Sequence, residues 1–406
     1  MKDVGTGSRS FRRFWFGQAA SQLGDAFGLV AMPQLAFEVT HSVAGMGTVT
    51  AVAAAGQLLA TPFAGVIVDR VHRRRLMIGC DLARLVLYAL LPLFAWSGRM
   101  HVGVLYAVAL LTSIASNLFM VGYFAAIANL VSAGEIPRAN GRLQATQALN
   151  YVIGSALGGI VCARFGNASA MGIDALSFAA SAATLSRVKF RHDRAERTDA
   201  PASPLAELAR GLRFLVAERS LRALTLFQTG VGLLGSVGVS AAVIDVLVYR
   251  LKVDFHESSS VVGTSLAVSA VGAVLGAVAG GKFSQRLGFG VLCLGGTALQ
   301  GAGLLCGGLG QSAALTIFAG LLWSSGLTFR AVAVTSLRQT LTPDALLGRV
   351  VSVSWLLIFS ASATGALLVT RLAGSVGSAH AMALLGAALL LLACAGVASR
   401  PLRRAG

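Results

Sequence analysis

The chain has 406 residues and a formal net charge of +17, and 55% of its residues are hydrophobic while only 12% are charged. That charged fraction is about half of what soluble domains carry, which excludes an ordinary soluble protein. It also excludes a disordered chain and leaves too little polar surface for a nucleic-acid-binding protein. The composition predicts an all-α polytopic membrane protein.

Twelve apolar stretches are long enough to cross a hydrocarbon core, which takes about 20 helical residues. Only one connection is long, at 189–222, and it is charged and contains Pro201 and Pro204. We therefore expect an N-terminal six-helix bundle at 1–188, a cytoplasmic linker at 189–222 and a C-terminal six-helix bundle at 223–406. The predicted spans are 14–38, 43–68, 76–97, 102–131, 143–165, 169–188, 223–249, 260–281, 288–308, 313–336, 349–373 and 376–398.

The distribution of basic residues predicts the orientation. With the N-terminus in the cytoplasm, 26 of the 33 Lys and Arg residues fall in cytoplasmic segments and five on the opposite side. Cytoplasmic loops of membrane proteins carry this excess. We expect a multi-pass protein of the cell membrane with both termini in the cytoplasm, and the first apolar run shows no signal-peptide cleavage site. The cysteines and histidines lack metal-ligand spacing, so no metal site is expected.

The loop between the second and third spans carries a motif. Residues 65–75 read GVIVDRVHRRR, which matches the G-x-x-x-D-R-x-x-R-R signature of the major facilitator superfamily at the position where that family has it. Residues 21–25 and 342–349 are also similar to the family. The chain resembles the exporter branch that includes macrolide-efflux and siderophore-export proteins. A weak internal repeat agrees, since Gly141-Arg142 and Gly348-Arg349 open spans five and eleven.

The resemblance implies the major-facilitator-type fold, in which two six-helix bundles enclose a central cavity and rock between two states. It implies a transporter and not an enzyme, which works as a monomer within membrane lipid. It also implies a small-molecule substrate and no cofactor, with the proton gradient as the energy source. In the family the motif closes the cytoplasmic side. Asp69 would then meet the start of span eleven near Gly348 and Arg349. The predicted gate residues are Gly65, Asp69, Arg70, Arg73 and Arg74.

One alternative to a gate stays open for the arginines of this motif, and the second half of the chain departs from the motif. The arginines could serve only as topology signals that bind anionic lipid headgroups. The second half has Gly281-Lys282 where the first half has its acid, so we expect the gate to be one-sided.

Small residues predict close helix packing in spans five and eight. Ser155 stands where family antiporters have a proline, which puts a kink in doubt. The two glycine faces either pack on each other, as those spans do in the family, or pack on ordinary neighbours. The predicted packing residues are Gly154, Gly158, Gly272, Gly276 and Gly280.

Asp25 is the strongest candidate for a functional charge, because it lies near the middle of the first span, where a charge is costly. Gln18, Gln22 and Met32 share its helix face. We expect Asp25 to couple transport to protons, or else to pair with a neighbouring span. The other predicted cavity residues are Asn117, Met120, Tyr123, Gln228, Trp323 and Arg330.

The remaining intramembrane charges have structural interpretations. Asp81 and Arg84 are three residues apart and can neutralise each other on one helix. Arg330 either reaches the interface with its long side chain or faces the cavity. Asp174 and Asp245 lie nearer the outer side, where a structural or gating role is expected.

These features predict a secondary active transporter that exports a small amphiphilic compound, such as a drug, a natural product or a siderophore, in exchange for protons. The closest alternative is an importer of a small metabolite, because the direction of transport is not written in a sequence. A polytopic receptor or enzyme is a more distant alternative, since neither a catalytic cluster nor a soluble domain is visible.

Overall fold

The computed structural model describes residues 6–41, 43–190, 204–234, 246–247, 250–257, 259–284 and 286–399. These residues form α-helices joined by short turns, with no β-strand among them. The helices of the first half are α1 Arg9–Thr40, α2 Val43–Arg70, α3 Arg73–Trp96, α4 Val102–Leu130, α5 Ile136–Phe165 and α6 Asn167–Leu185. They are followed by α7 Pro204–Ala217, α8 Arg219–Leu233, α9 Ser259–Phe283, α10 Phe289–Leu309, α11 Ala313–Leu341, α12 Leu347–Val376 and α13 Ser378–Ala398.

Eleven predicted spans correspond to α1–α6 and α9–α13. Among the described residues, ten helices are long and apolar enough to cross a membrane. Helix α1 falls short of that hydropathy because polar residues interrupt its apolar ones, namely Gln18, Gln22, Asp25, Gln34 and Glu38. The seventh span begins in α8, and residues 235–245, including Asp245, lie outside the described residues. Twelve spans are consistent with this structure, and the all-α membrane fold is confirmed.

The predicted linker contains helix. Residues 204–217 form α7, whose apolar residues lie on one side, and α8 begins at Arg219, four residues before the predicted seventh span. Residues 191–203 lie outside the described part of the chain.

An internal repeat is visible in the backbone. A 3₁₀ turn at 133–135 leads into the 30-residue helix α5, which ends at Gly166 with φ 82° before α6 begins. A 3₁₀ turn at 344–346 likewise leads into the 30-residue α12, which ends at Gly377 with φ 84°. A positive φ suits glycine, which has no Cβ to clash. The repeat distance is 211 residues, so the two Gly-Arg pairs noted in the sequence, 207 apart, occupy different turns of their helices.

The helices pack into two compact units, and neither is continuous in sequence. The first unit comprises residues 1–135, 149–212 and 342–353, and the second comprises 136–148, 213–341 and 354–406. In the first unit α6 packs on α1 and α3, and α4 packs on α2 and α3. In the second unit α11 packs on α9 and α10, and α10 packs on α13. The predicted division at 189–222 stays a prediction about domains, because the packing units also cut α5 and α12.

The glycine faces pack against neighbours within these units. A Cβ on Gly272 or Gly276 would collide with backbone carbonyls of α11. Ser325 and Thr328 of α11 donate hydrogen bonds to the carbonyls of Gly272 and Ala273 in α9, at 2.9 and 2.7 Å. Such contacts are typical of tightly packed membrane helices.

The glycines of α5 follow the same rule. A Cβ on Gly154 or Gly158 would lie 2.6 Å from Ala26 Cβ or 3.1 Å from Phe27 Cα of α1, and Gly280 lies against Phe329 and Val332 of α11. The nearest atoms to Gly154 and Gly158 are therefore on α1, and those to the glycines of α9 are on α11, as the interpretation with ordinary neighbours has it.

Replacing Gly276 with alanine is expected to cost about 1–3 kcal/mol of stability, because the new methyl group meets a backbone carbonyl that a side chain cannot avoid. Gly263→Ala, on the same helix, is the control, since no atom lies within 4 Å of its added Cβ. Thermal melting in detergent should show a clear loss for the first variant and little change for the second. Equal melting of the two would contradict the packing described for α9.

Candidate functional site

Asp69 caps the start of α12. Its side chain is 1% exposed, and its carboxylate accepts hydrogen bonds from the backbone N–H groups of Gly348 and Arg349 at 3.2 and 3.3 Å. The Nε of Arg349 lies 3.4 Å from the same carboxylate. The first N–H groups of a helix have no acceptor within the helix and form its positive end. Asp69 thus has the contact that the family resemblance implies, while its role as a gate stays a prediction.

Gly65 permits this contact. Gly65 lies one helical turn before Asp69, and a Cβ there would collide with the carbonyl of Gly348 and lie 2.8 Å from the Cα of Arg349. The backbones of α2 and α12 therefore touch at this point.

Arg73 is fully buried and binds Asp344, which precedes α12. Its Nη1 donates to the Asp344 carboxylate at 2.7 Å and its Nη2 to the Asp344 carbonyl at 3.0 Å. The Asn129 amide of α4 donates to the same carboxylate at 3.1 Å. A lipid-binding role alone does not describe Arg73. Sequence analysis missed this partner, although an acid beside Pro343 at a helix start was the available signal.

The other arginines of the motif differ from Arg73. Arg70 and Arg74 are half-buried, and Arg74 donates to the Val188 carbonyl at 3.4 Å. Arg75 is exposed, as a residue that faces lipid headgroups would be.

The corresponding contact in the second unit has no acid among the described residues. Gly281 packs against Gly141, where a Cβ would lie 3.0 Å from the Gly281 Cα. The Asn140 amide donates to Ser336 Oγ at 3.0 Å and to Gln339 Oε1 at 2.7 Å. An uncharged contact stands here, in keeping with the expected one-sided arrangement.

Asp25 lies on an accessible face of α1. Its side chain is exposed, and Gln22 and Met32 on the same face are half-buried. The side chains of Gln22 and of Tyr123 in α4 form a hydrogen bond. Gln18 departs from this face, because it is 3% exposed and donates to Ser181 Oγ of α6 at 3.1 Å.

The cavity candidates of α4 divide into two kinds. Asn117 is buried and donates to Thr61 Oγ1 of α2 at 3.0 Å, so it joins two helices. Met120 and Tyr123 are half-buried, and the Tyr123 ring stacks on Phe14 at 5.5 Å. Of these three candidates, only Met120 and Tyr123 have exposed surface that a ligand could contact within this unit.

Arg330 lies inside the second unit rather than at an interface. It is 1% exposed, its Nε donates to Gln300 Oε1 at 3.0 Å, and its Nη1 donates to Gln228 Oε1. Trp323 is 5% exposed and belongs to the apolar core. The interpretation in which Arg330 reaches the interface is wrong, because the two glutamines hold its guanidinium inside. Gln300 was missed, although a glutamine in an apolar span was the signal.

Charged residues in α3 and α6 form a buried group. Asp81 and Arg84 make the expected ion pair, with Asp81 0% and Arg84 4% exposed. The Arg84 guanidinium lies 4.4 Å from the Phe119 ring and 4.2 Å from the Phe178 ring. Asp174 is 1% exposed and sits against α1.

Named relatives are exporters. Over 393 residues the chain is 25% identical to the multidrug efflux pump Tap of Mycolicibacterium fortuitum, covering 94% of this chain and 93% of that protein. It is 26% identical over 389 residues to the enterobactin exporter EntS of Escherichia coli O1:K1, covering 89% and 86%. With Tap of Mycobacterium tuberculosis the identity is 29% over 216 residues, and there the chain spans about half of its relative's length, 51%.

Solved structures share the fold. The human organic anion transporter MFSD10 matches with a TM-score of 0.75 at 18% identity, over 95% of this chain and 98% of that one. A bacterial homologue of the iron transporter ferroportin, in an outward-facing state, matches with a TM-score of 0.76 at 17% identity, over 96% and 99%. The family model of the Major Facilitator Superfamily covers residues 14–366, and the chain belongs to this superfamily.

Proposed function

We propose that this protein exports small amphiphilic compounds from the cell in exchange for protons, by alternating access, with both termini in the cytoplasm. The exporters Tap and EntS, which align with most of this chain, support the direction of transport. The asymmetry of basic residues supports the orientation.

The observation that carries the proposal is the exposed carboxyl of Asp25 in the middle of α1. An ionisable group inside a membrane protein is expensive and points to function. Its face combines polar Gln22 with apolar Met32 and with Leu29, which is 53% exposed. A compound with an apolar body and a polar group suits such a face better than a sugar does.

Coupling follows from a difference in binding. A proton on Asp25 removes a negative charge from the ligand face, so the protonated and ionised states bind an amphiphile with different affinities. Only such a difference lets one flux drive the other. The Asp69 contact with α12 would form in one state of the cycle and break in the other, which makes it a gate.

Asp25→Asn is expected to lower proton-driven efflux at least about tenfold, because the amide cannot exchange a proton, while substrate counterflow is retained. Glu38→Gln is the control on the same helix, since the Asn167 amide can still donate to the new side-chain oxygen. Everted vesicles with a panel of amphiphiles, with and without a protonophore, identify a substrate. Proteoliposomes with an imposed pH gradient then compare the variants. Full efflux by Asp25→Asn would overturn the coupling role, and uptake in the opposite direction would support the importer instead.

A further inference from the structure

Three carboxyl groups surround one guanidinium group in the first unit. Asp25 of α1, Asp81 of α3 and Asp174 of α6 all interact electrostatically with Arg84. All four belong to α1, α3 and α6, and α6 packs on both of the other two helices. If every group were ionised the cluster would carry two excess negative charges, which a membrane-embedded bundle does not readily accommodate.

The only positive charge of this group, that of Arg84, is paired with Asp81. The two side chains form a direct ion pair on one helix. The flanking rings of Phe119 and Phe178 hold the guanidinium in place through cation–π contacts. Arg84 therefore neutralises one carboxylate in full and the other two only from a distance.

Of the two buried carboxyls, Asp174 has fewer partners than Asp81. Its Oδ1 accepts one long hydrogen bond from Ser177 at 3.4 Å, and its Oδ2 has no hydrogen-bond partner among the described residues. A buried carboxylate oxygen without a donor is costly, whereas a protonated carboxyl removes the charge. Asp174 thus has the surroundings of a neutral carboxylic acid.

The glycines of α1 let Asp174 pack directly against the buried side of that helix. A Cβ on Gly24 would lie 2.8 Å from Asp174 Oδ1, and a Cβ on Gly28 would collide with Oδ2. Asp25 follows Gly24 directly in the sequence, and its exposed carboxyl interacts electrostatically with the buried carboxyl of Asp174. The titratable and charged groups that face Asp174 are Asp25 from α1 and Arg84 and Tyr88 from α3, with Asp81 paired to Arg84.

We propose that Asp174 holds the exchanged proton and that Asp25 passes it between Asp174 and water. A hydronium ion from the solvent protonates the Asp25 carboxylate and becomes water, the proton then passes from Asp25 to the Asp174 carboxylate, and release runs the two transfers in reverse. This inference rests on the proposed function, in which the charge of Asp25 sets the affinity of the ligand face, and it adds Asp174 as the site that stores the proton when Asp25 releases it.

The assignment is tested by infrared spectra of the purified protein in lipid, compared between H₂O and D₂O. This measurement needs neither a substrate nor a pH gradient. We expect a protonated-carboxyl C=O band that is lost in Asp174→Asn and unchanged in Glu38→Gln. In Asp25→Asn the band should remain, but its shift on transfer to D₂O should slow at least about tenfold, because the relay to water is missing. Retention of the band in Asp174→Asn, or equally fast exchange in Asp25→Asn, would overturn the proposal.

Ser177→Ala keeps the test valid if Asp174→Asn fails to fold. Removing this hydroxyl should shift the frequency of the band, since Ser177 is the hydrogen-bond partner of Asp174, and an unmoved band would contradict the assignment. If the band is lost in Asp174→Asn but the wild-type protein exports none of the compounds, the proton site is supported and the export function is rejected. If the wild-type protein shows proton-driven efflux but the band stays intact in Asp174→Asn, the export function is supported and the proton site is rejected.

Discussion

Arg84→Leu is expected to destabilise the protein by about 3–5 kcal/mol, the usual cost of removing one partner from a buried ion pair. The substitution leaves Asp81 buried without its counter-ion and removes the cation from beside Asp174. Thermal melting in detergent measures the loss. Arg75→Leu is the matched control, because Arg75 is an exposed arginine on the same helix and exposed substitutions usually stay within about 0.5 kcal/mol.

The same site predicts an asymmetry between the two partners. Asp81→Asn should cost less than Arg84→Leu, because Arg84 still has the Asp25 carboxyl and the rings of Phe119 and Phe178 to stabilise its charge. The double variant with both substitutions should melt above Arg84→Leu alone, since it no longer buries the Asp81 charge. Equal melting of Arg84→Leu and Arg75→Leu would contradict the buried cluster.

Gly65→Ala is expected to lower efflux at least about tenfold, which corresponds to about 1.4 kcal/mol in the cycle. The added methyl group would meet the Gly348 carbonyl and separate the Asp69 carboxylate from its N–H donors on α12. Gly79→Ala, in α3, is the control because no atom lies within 4 Å of its added Cβ. Transport in everted vesicles, corrected for the amount of protein, compares the two.

Asp69→Asn separates charge from volume at the same contact. The amide keeps the size of the side chain but loses the negative charge that faces a helix N-terminus and Arg349. We expect a loss of efflux similar to that of Gly65→Ala. Efflux at the wild-type rate in both variants would show that the contact is not a gate.

Local patterns in the sequence predicted local structure. The Asp81–Arg84 pair follows from a spacing of three on one helix, and helices such as α4 and α10 match apolar runs to within one residue at each end. The Asp69 contact was found only because the motif resembles a family, since Asp69 and Gly348 are 279 residues apart.

Partners on distant helices could not be predicted. Arg73 and Asp344 are 271 residues apart, and no period within either helix indicates the other. In a membrane span the lipid-facing and protein-facing sides are both apolar, so the sequence does not show which side of α11 is buried. Arg330 was left with two interpretations for this reason, and its contacts with Gln228 and Gln300 appear only in three dimensions.

Two contacts can be altered separately by substitution: the charged contact at Asp69 and the uncharged contact between Gly141 and Gly281. The first depends on a single negative charge at a helix start, so a change of charge weakens it while the backbones still fit. The second is made by touching glycines and by uncharged hydrogen bonds, so a change of volume at either glycine weakens it without any change of charge. Variants of the two kinds can therefore tune either contact while leaving the other as it is.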